Sequence, residues 1–302
     1  MTYLLTGATG FIGRSLVERL LNEGHAVHYL GRRRSGELDS RAAFHLWEDL
    51  ALAPPLDSVP PVDAIIHLAG EPIAQRWTPE VKSRISSSRL EGTRNLVDAI
   101  GWMKKRPRVL VAGSAIGYYG DRGDEILQED SVPGSGFLAD LCREWENEAK
   151  RVAQFGVRSV CVRTGIVLGN GGGALAKMLP PFRWGVGGRF GAGRQWMSWI
   201  HRDDLLSLLQ FAAETEAVSG VLNGTAPAPV TNAEFTRVLA RALHRPALFT
   251  VPRFLLRLIM GEMADFLLDS ERVLPAAALQ HGFRFRFESL PEALAQILGG
   301  RA

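Results

Sequence analysis

The sequence predicts an α/β fold, a doubly wound parallel sheet with a smaller, mostly helical C-terminal domain. Short apolar runs alternate with longer helical patterns from the first residues on, a glycine-rich turn joins the first run to the first helix, and the alternation fails after about residue 165. Strands separated by helices pair in parallel and are covered on both faces, so they read as near-continuous apolar runs. Six runs qualify as strands: residues 3–5, 26–30, a weaker 43–47, 64–68, 109–111 and 157–162.

The helices between them follow from the spacing of apolar residues. Ile12, Leu16, Val17, Leu20 and Leu21 fall on one helical face, which Gly24 closes in the C-terminal position that favours glycine. Residues 80–103 give a second helix with Val81, Ile85, Leu96, Val97 and Ile100 inward, and residues 138–153 a third. Between Gly165 and Gly193 stand ten glycines in 29 residues and the pair Pro180-Pro181, which predict a loop-rich cap with one short helix. Residues 203–213 are helical and 218–223 strand-like, and both are expected to return to the first sheet. Residues 231–298 are mostly helical, with Thr231 and Glu234 spaced as a capping box and Pro291 near the start of the last helix. The expected division is therefore residues 1–165 plus about 198–226 as a dinucleotide-binding domain, and 166–197 plus 227–302 as a cap or substrate domain.

Composition bounds the function. With 302 residues, 46% hydrophobic and 22% charged, the chain is an ordinary globular one and not a disordered one. The net charge of +3 comes from scattered arginines, which argues against a nucleic-acid groove; only Arg32, Arg33 and Arg34 cluster. Cys142 in a helical pattern and Cys161 in a strand run fit buried structural thiols better than a disulfide framework or a metal site, and point to a reducing, cytoplasmic setting. No run of about 18 apolar residues marks a membrane span, and the first strand leaves no room for a signal peptide.

Thr6-Gly7-Ala8-Thr9-Gly10-Phe11-Ile12-Gly13 lies between a strand and a helix, the context that gives a glycine pattern weight as a Rossmann fingerprint. Gly7 permits the tight turn, Gly10 lets the backbone approach a pyrophosphate and Gly13 lets the helix pack closely, while the free N–H groups at Phe11 and Ile12 attract the anion. At the end of the second strand, where an NAD site usually carries Asp or Glu, the chain reads Gly31-Arg32-Arg33-Arg34. A carboxylate there would repel a 2′-phosphate and guanidinium groups grip it, so NADP(H) is the expected cofactor. The bland alternative is a solvated basic loop, since three adjacent arginines are not expected all to face a ligand. His67-Leu68-Ala69-Gly70 ends the fourth strand at the ligand-binding edge, with Leu68, Ala69 and Gly70 on the cofactor track and His67 a packed histidine.

With this glycine spacing, the 67–70 strand end, and Ser114 with Tyr118-Tyr119-Gly120 after the fifth strand, the sequence resembles the extended short-chain dehydrogenase/reductases. Gly70-Glu71-Pro72-Ile73-Ala74, Arg76-Trp77, Gln195-Trp196, Ser198-Trp199-Ile200-His201 and Asn223-Gly224-Thr225-Ala226-Pro227 narrow the likeness to an atypical subgroup of epimerase family proteins. The resemblance implies cofactor contacts from Arg84, Arg89 and the backbone at Val167. From the residues alone, Arg89 reads as a solvated charge, and Asp203 and Asp204 as helix-start carboxylates.

The superfamily's Tyr-x-x-x-Lys proton relay falls on Phe137 and Leu141, which have neither the phenol nor the amine. Ser114 with Tyr118 or Tyr119 is the expected replacement, with aromatic packing under the cap as the alternative. The resemblance thus implies an NADP(H)-dependent oxidoreductase or nucleotide-sugar epimerase-like enzyme; the alternative is a non-catalytic NADP(H)-binding redox sensor or scaffold. Trp77, Trp184, Trp196, Trp199, Arg183, Arg189, Arg194 and Gln195 suit a small nucleotide-like or aromatic substrate, although half or more of the tryptophans are expected in the core. No metal, membrane or nucleic-acid partner is expected.

Overall fold

The computed structural model describes residues 1–299. Its central sheet holds β1 (Thr2–Thr6), β2 (Ala26–Gly31), β3 (Ala43–Leu46), β4 (Ala64–His67), β5 (Val109–Ala115), β6 (Arg158–Thr164) and β7 (Gly220–Gly224) in the order β7-β6-β5-β4-β1-β2-β3. Every pairing is parallel. The order reverses between β1 and β4, and the crevice at such a reversal is where open α/β sheets bind ligands.

Strand periodicity sorts the core into two layers. Tyr3 and Leu5 face α1 (Phe11–Asn22), whose Leu16, Val17 and Leu20 are buried with Ile66, Val111 and Val160. Leu4 points the other way, into a cluster with Ile65, Leu110 and the Leu96, Val97 and Ile100 of α2 (Pro79–Trp102). Thr78 accepts a hydrogen bond from the Val81 N–H (3.3 Å) to start α2, and Gly24, with φ +83°, supplies the left-handed turn that ends α1. The third helix, α3 (Phe137–Lys150), covers β5 and β6.

Beyond β6 the chain forms α4 (Gly173–Arg183), the one helix expected in this loop-rich stretch, with Pro180 and Pro181 inside it. Each proline removes one backbone hydrogen bond of the helix, which ends at Arg183, two residues after Pro181. Then α5 (Arg202–Glu214) returns to the sheet beside α1, and β7 pairs with β6. A second apolar cluster unites Leu175, Leu179 and Phe182 of α4 with Phe235 and Leu239 of α6 (Asn232–Ala242) and with Leu290 and Leu294 near the C-terminus. Short strand pairs knit it to the rest: Ile166–Leu168 with Trp199–His201, Gly188–Phe190 with Phe249–Val251, and Ile126–Leu127 with Arg272–Val273. Trp77 and Trp199 are core, Trp196 is half-buried and Trp184 is exposed. Cys142 and Cys161 are buried and unpaired, and no described helix is long and apolar enough to cross a membrane.

Asp204 does more than sit in the first turn of α5. Its buried carboxylate accepts the N–H groups of Arg286 and Phe287, each at 2.9 Å, and so ties α5 to the C-terminal segment. Asp204→Ala strands the buried Phe287 N–H and the part-buried Arg286 N–H and is expected to cost about 1 to 3 kcal/mol in urea unfolding; a loss below about 0.5 kcal/mol would show that the two donors find other partners.

Candidate functional site

The glycine turn is built by backbone contacts. The Gly10 N–H donates to the Gly7 carbonyl (3.0 Å), and a Cβ on Gly13 would lie 2.2 Å from that same oxygen. Gly7 has φ +70°, and a Cβ there would meet the Leu68 carbonyl at 2.6 Å. Both close approaches exclude any other residue. Gly10 is the N-cap of α1 and no side chain caps that end, which leaves the first N–H groups of the helix, at Phe11, Ile12 and Gly13, facing the crevice. The Phe11 ring supports the loop after Val167: a Cβ at Gly172 would stand 2.4 Å from it. Val167 itself pairs with Ile200.

His67 is pinned as a neutral ring. Thr6 Oγ1 accepts the Leu68 and Ala69 N–H groups (3.2 and 3.1 Å), so its one proton goes to His67 Nδ1 (2.7 Å); Nε2 then donates to Thr93 Oγ1 (3.0 Å). Burial, with Arg89 nearby, pushes its pKa down to about 4. The ends of β1 and β4 are thereby locked together directly beneath the crevice.

Two connected clefts lie above them. One, of about 800 Å³, is lined by Thr9, Gly31, Arg32, Arg33, Arg34 and Ser35 together with Glu37, which pairs with Arg14. All three arginines line it, contrary to the expectation that they must point apart, because this segment is an irregular turn and not a strand with alternating sides. The other, of about 450 Å³, runs from Gly7–Gly10 past Gly31 and Arg32 to Leu68, Ala69 and Gly70, with Arg84, Ser87 and Ser88 on one wall and Trp47 to Ala51 on the other. The Trp47–Ala51 wall was missed from sequence; it follows a weak strand, and its Glu48 and Asp49 read as ordinary loop charges.

Arg89 corrects the reading of a solvated charge. It is buried, donates to the carbonyls of Glu71 (2.9 Å) and Ile85 (3.2 Å), and packs against Gly70, where a Cβ would stand 3.2 Å from its guanidinium carbon. It shapes the 70–71 turn from beneath, while Arg84 stays exposed beside Glu71.

Ser114, Tyr118 and Tyr119 converge, but on an ion pair. Arg163 of β6 grips Glu146 of α3 with two bonds (2.7 and 3.0 Å), and both are buried. Ser114 donates to Glu146 (2.9 Å). The Tyr118 ring lies flat against Arg163, its centre 3.3 Å from the guanidinium carbon. Tyr119 accepts from Arg163 (2.9 Å) and meets Asn223 of β7 at 2.7 Å. Burial pushes its phenol up to about 12, with Arg163 and Asn223 pulling back only in part. Such a group holds its proton at neutral pH, and its hydroxyl is committed. Tyr118 is half-buried, and its hydroxyl has no hydrogen-bond partner among the described residues. Phe137 and Leu141, in the relay positions, join Trp77, Val81, Ile85 and Leu138 in an apolar seam between α2 and α3.

Residues 3–223 match the profile of the NAD dependent epimerase/dehydratase family, and residues 251–297 a domain of unknown function, DUF1731. An epimerase family protein SDR39U1 homolog of Arabidopsis thaliana chloroplasts is 41% identical, covering 99% of this chain and 87% of the relative. The epimerase family protein YfhF of Bacillus subtilis is 37% identical over 100% of this chain and 99% of its own. Among solved structures, human epimerase family protein SDR39U1 with NADPH superposes with a TM-score of 0.89 at 36% identity, covering 99% of both chains.

Glu146→Ala leaves Arg163 buried without its counter-charge and is expected to destabilise the fold by about 3 to 5 kcal/mol in urea unfolding. A cost under about 1 kcal/mol would show that water reaches the pair.

Proposed function

This chain belongs to the NAD dependent epimerase/dehydratase family, and from that premise we propose that it binds NADP(H) in the paired clefts and acts as an oxidoreductase on a small molecule. The observation that carries the cofactor choice is the lining of the larger cleft by Arg32, Arg33 and Arg34, with its one carboxylate, Glu37, already paired to Arg14. Paired charge-assisted bonds there suit a 2′-phosphate. Gly7, Thr9, Gly10 and the N–H groups of Phe11, Ile12 and Gly13 receive the pyrophosphate; Gly31 and residues 68–70 give the rest a smooth floor, with Arg84 and the Val167 backbone at its margins and Arg89 positioning the floor from below. Bound, the cofactor supplies or accepts a hydride. The NADPH in the human relative's structure supports the same reading.

A non-catalytic redox sensor is the second reading, and one observation favours it: the Ser114 and Tyr119 hydroxyls are engaged at the Glu146–Arg163 pair. Of the three nominated groups, Tyr118 is the one left to serve as an acid. The two free buried thiols fit a cytoplasmic setting.

Fluorescence titration should show NADPH binding more tightly than NADH, and Arg32→Ala with Arg33→Ala should remove about 2 to 4 kcal/mol of that selectivity. Equal affinities in the unaltered protein would refute the cofactor assignment. Restoring the superfamily pair, Phe137→Tyr with Leu141→Lys, should yield no epimerase: Leu141 is buried beside Val81 and Ile85, and an unpaired ammonium there costs several kcal/mol. Turnover of UDP-glucose by a folded double variant would show that the remaining site was intact.

A further inference from the structure

A third cavity, of about 280 Å³, opens at the start of α3. Its walls are Trp77, Phe137 and Phe266, its lining includes Gly117 and Gly120 after β5, and its polar side chains are Ser135, Glu262, Asp265 and Asp269. No lysine or arginine lines it. Glu262 is answered from outside by Lys82 (2.7 Å), and Asp265 by Arg253 (2.8 Å) and Arg257 (2.9 Å). Asp269 has neither an ion-pair partner nor a side-chain hydrogen bond among the described residues, although it is half-buried.

The surroundings of Asp269 disfavour its charged form. Burial, Asp121 and Asp265 raise its carboxyl to about 6, with Arg253 opposing them. Behind it Glu271 is 6% exposed, its Oε1 has no partner, and burial with the charges of Asp269 and Asp121 pushes it up to about 8. Glu271 is therefore protonated and uncharged at neutral pH, and Asp269 is the carboxyl of this group that lines the cavity without a partner among the described residues. The aromatic walls favour positive charge as well. Trp77 meets Phe137 edge-on at 5.4 Å and stacks on Phe266 at 6.4 Å, and the Lys82 ammonium already sits 4.9 Å from the centre of the Phe137 ring. Among the described residues no three His, Cys, Asp or Glu side chains converge to hold a metal ion, whereas the aromatic walls suit an organic cation.

We infer that this cavity binds a small organic cation on a flat apolar frame, of the amidinium or aryl-ammonium class, with Asp269 as its counter-ion and Trp77, Phe137 and Phe266 as its walls. The inference deepens the proposed function by naming a substrate class, and rests on that reading only in calling the ligand a substrate. The cavity is at the small end of ligand sites, which run from roughly 300 to 1,000 Å³, and so takes a single ring system. A nucleoside diphosphate sugar is both too large for it and repelled by its carboxylates.

Calorimetric titration with benzamidine, benzoate and UDP-glucose, each against the whole protein, tests this. Benzamidine should bind and benzoate, of the same shape and opposite charge, should not. Affinity for benzamidine should fall as the pH drops through about 6 and Asp269 takes up its proton. Asp269→Asn should weaken benzamidine about tenfold or more and abolish that pH dependence, with NADPH binding unchanged. Benzoate or UDP-glucose binding in competition with benzamidine and as tightly would overturn the inference, as would benzamidine binding that is insensitive to pH in the unaltered protein or to Asp269→Asn. Benzamidine binding without NADPH binding would support it while removing the cofactor reading.

Discussion

The carboxyl end of the sheet is assembled around the buried pair of Glu146 and Arg163. Two charges taken out of water are tolerated only when their remaining donors and acceptors are also met. Ser114 and Lys150 give Glu146 further partners, while the Tyr119 hydroxyl and the Glu129 carbonyl take the rest of the guanidinium. Through Asn223, which meets Tyr119 and donates to the Leu274 carbonyl (2.9 Å), the network reaches from α3 across β5, β6 and β7 into the C-terminal region. The pair therefore fixes how the last strands and the cap meet the site. It also accounts for a serine at the end of β5 and two tyrosines after it in a chain without the superfamily's phenol–amine pair: their polarity and aromatic faces are what a desolvated guanidinium–carboxylate pair requires.

The two ends of the site differ in charge. The cleft after β2 is lined by three arginines on an irregular turn, and the separate cavity at the start of α3 by three carboxylates, of which Asp269 has no ion-pair partner among the described residues. Field lines in low-dielectric clefts are focused, so the two would attract ligand groups of opposite sign. The neutral His67 and the buried Arg89 contribute rigidity between them and little usable charge.

Much of the fold was legible because its causes are local or periodic. Alternation in β1, the apolar face of α1 and the φ-positive glycines at 7 and 24 follow from side-chain direction and sterics alone. The glycine turn shares that property in part: Gly13 is required by a contact inside one strand–turn–helix unit and Gly7 by its own positive φ, whereas the Leu68 carbonyl that also crowds Gly7 comes from the remote end of β4. What sequence reading missed depends on partners remote in the chain. The burial of Arg89 is set by two backbone carbonyls, which leave no trace in residue identity. The Trp47–Ala51 wall, and the carboxylates at 262, 265 and 269, reach their clefts only through the tertiary fold. The tyrosines were visible and their task was not, because Arg163 and Glu146 read as ordinary strand and helix charges until β5, β6 and α3 are brought together.

Phe137 and Leu141 give the absent relay a physical meaning. A phenol at 137 and an ammonium at 141 would need a polar seam between α2 and α3; here that seam is closed by Trp77, Val81, Ile85 and Leu138, with Met263 of the C-terminal segment packed over it. Where the superfamily's relay implies a proton donor, this wall of the cavity is an apolar surface continuous with Trp77, Val81 and Ile85. The facing segment, residues 262–271, carries the carboxyls that the cavity's polarity now depends on, and Asp269 is the one among its lining carboxylates without a cation. With the α3 wall apolar, the ionisable side chains that line this cavity are Glu262, Asp265 and Asp269, all on the segment that packs across it.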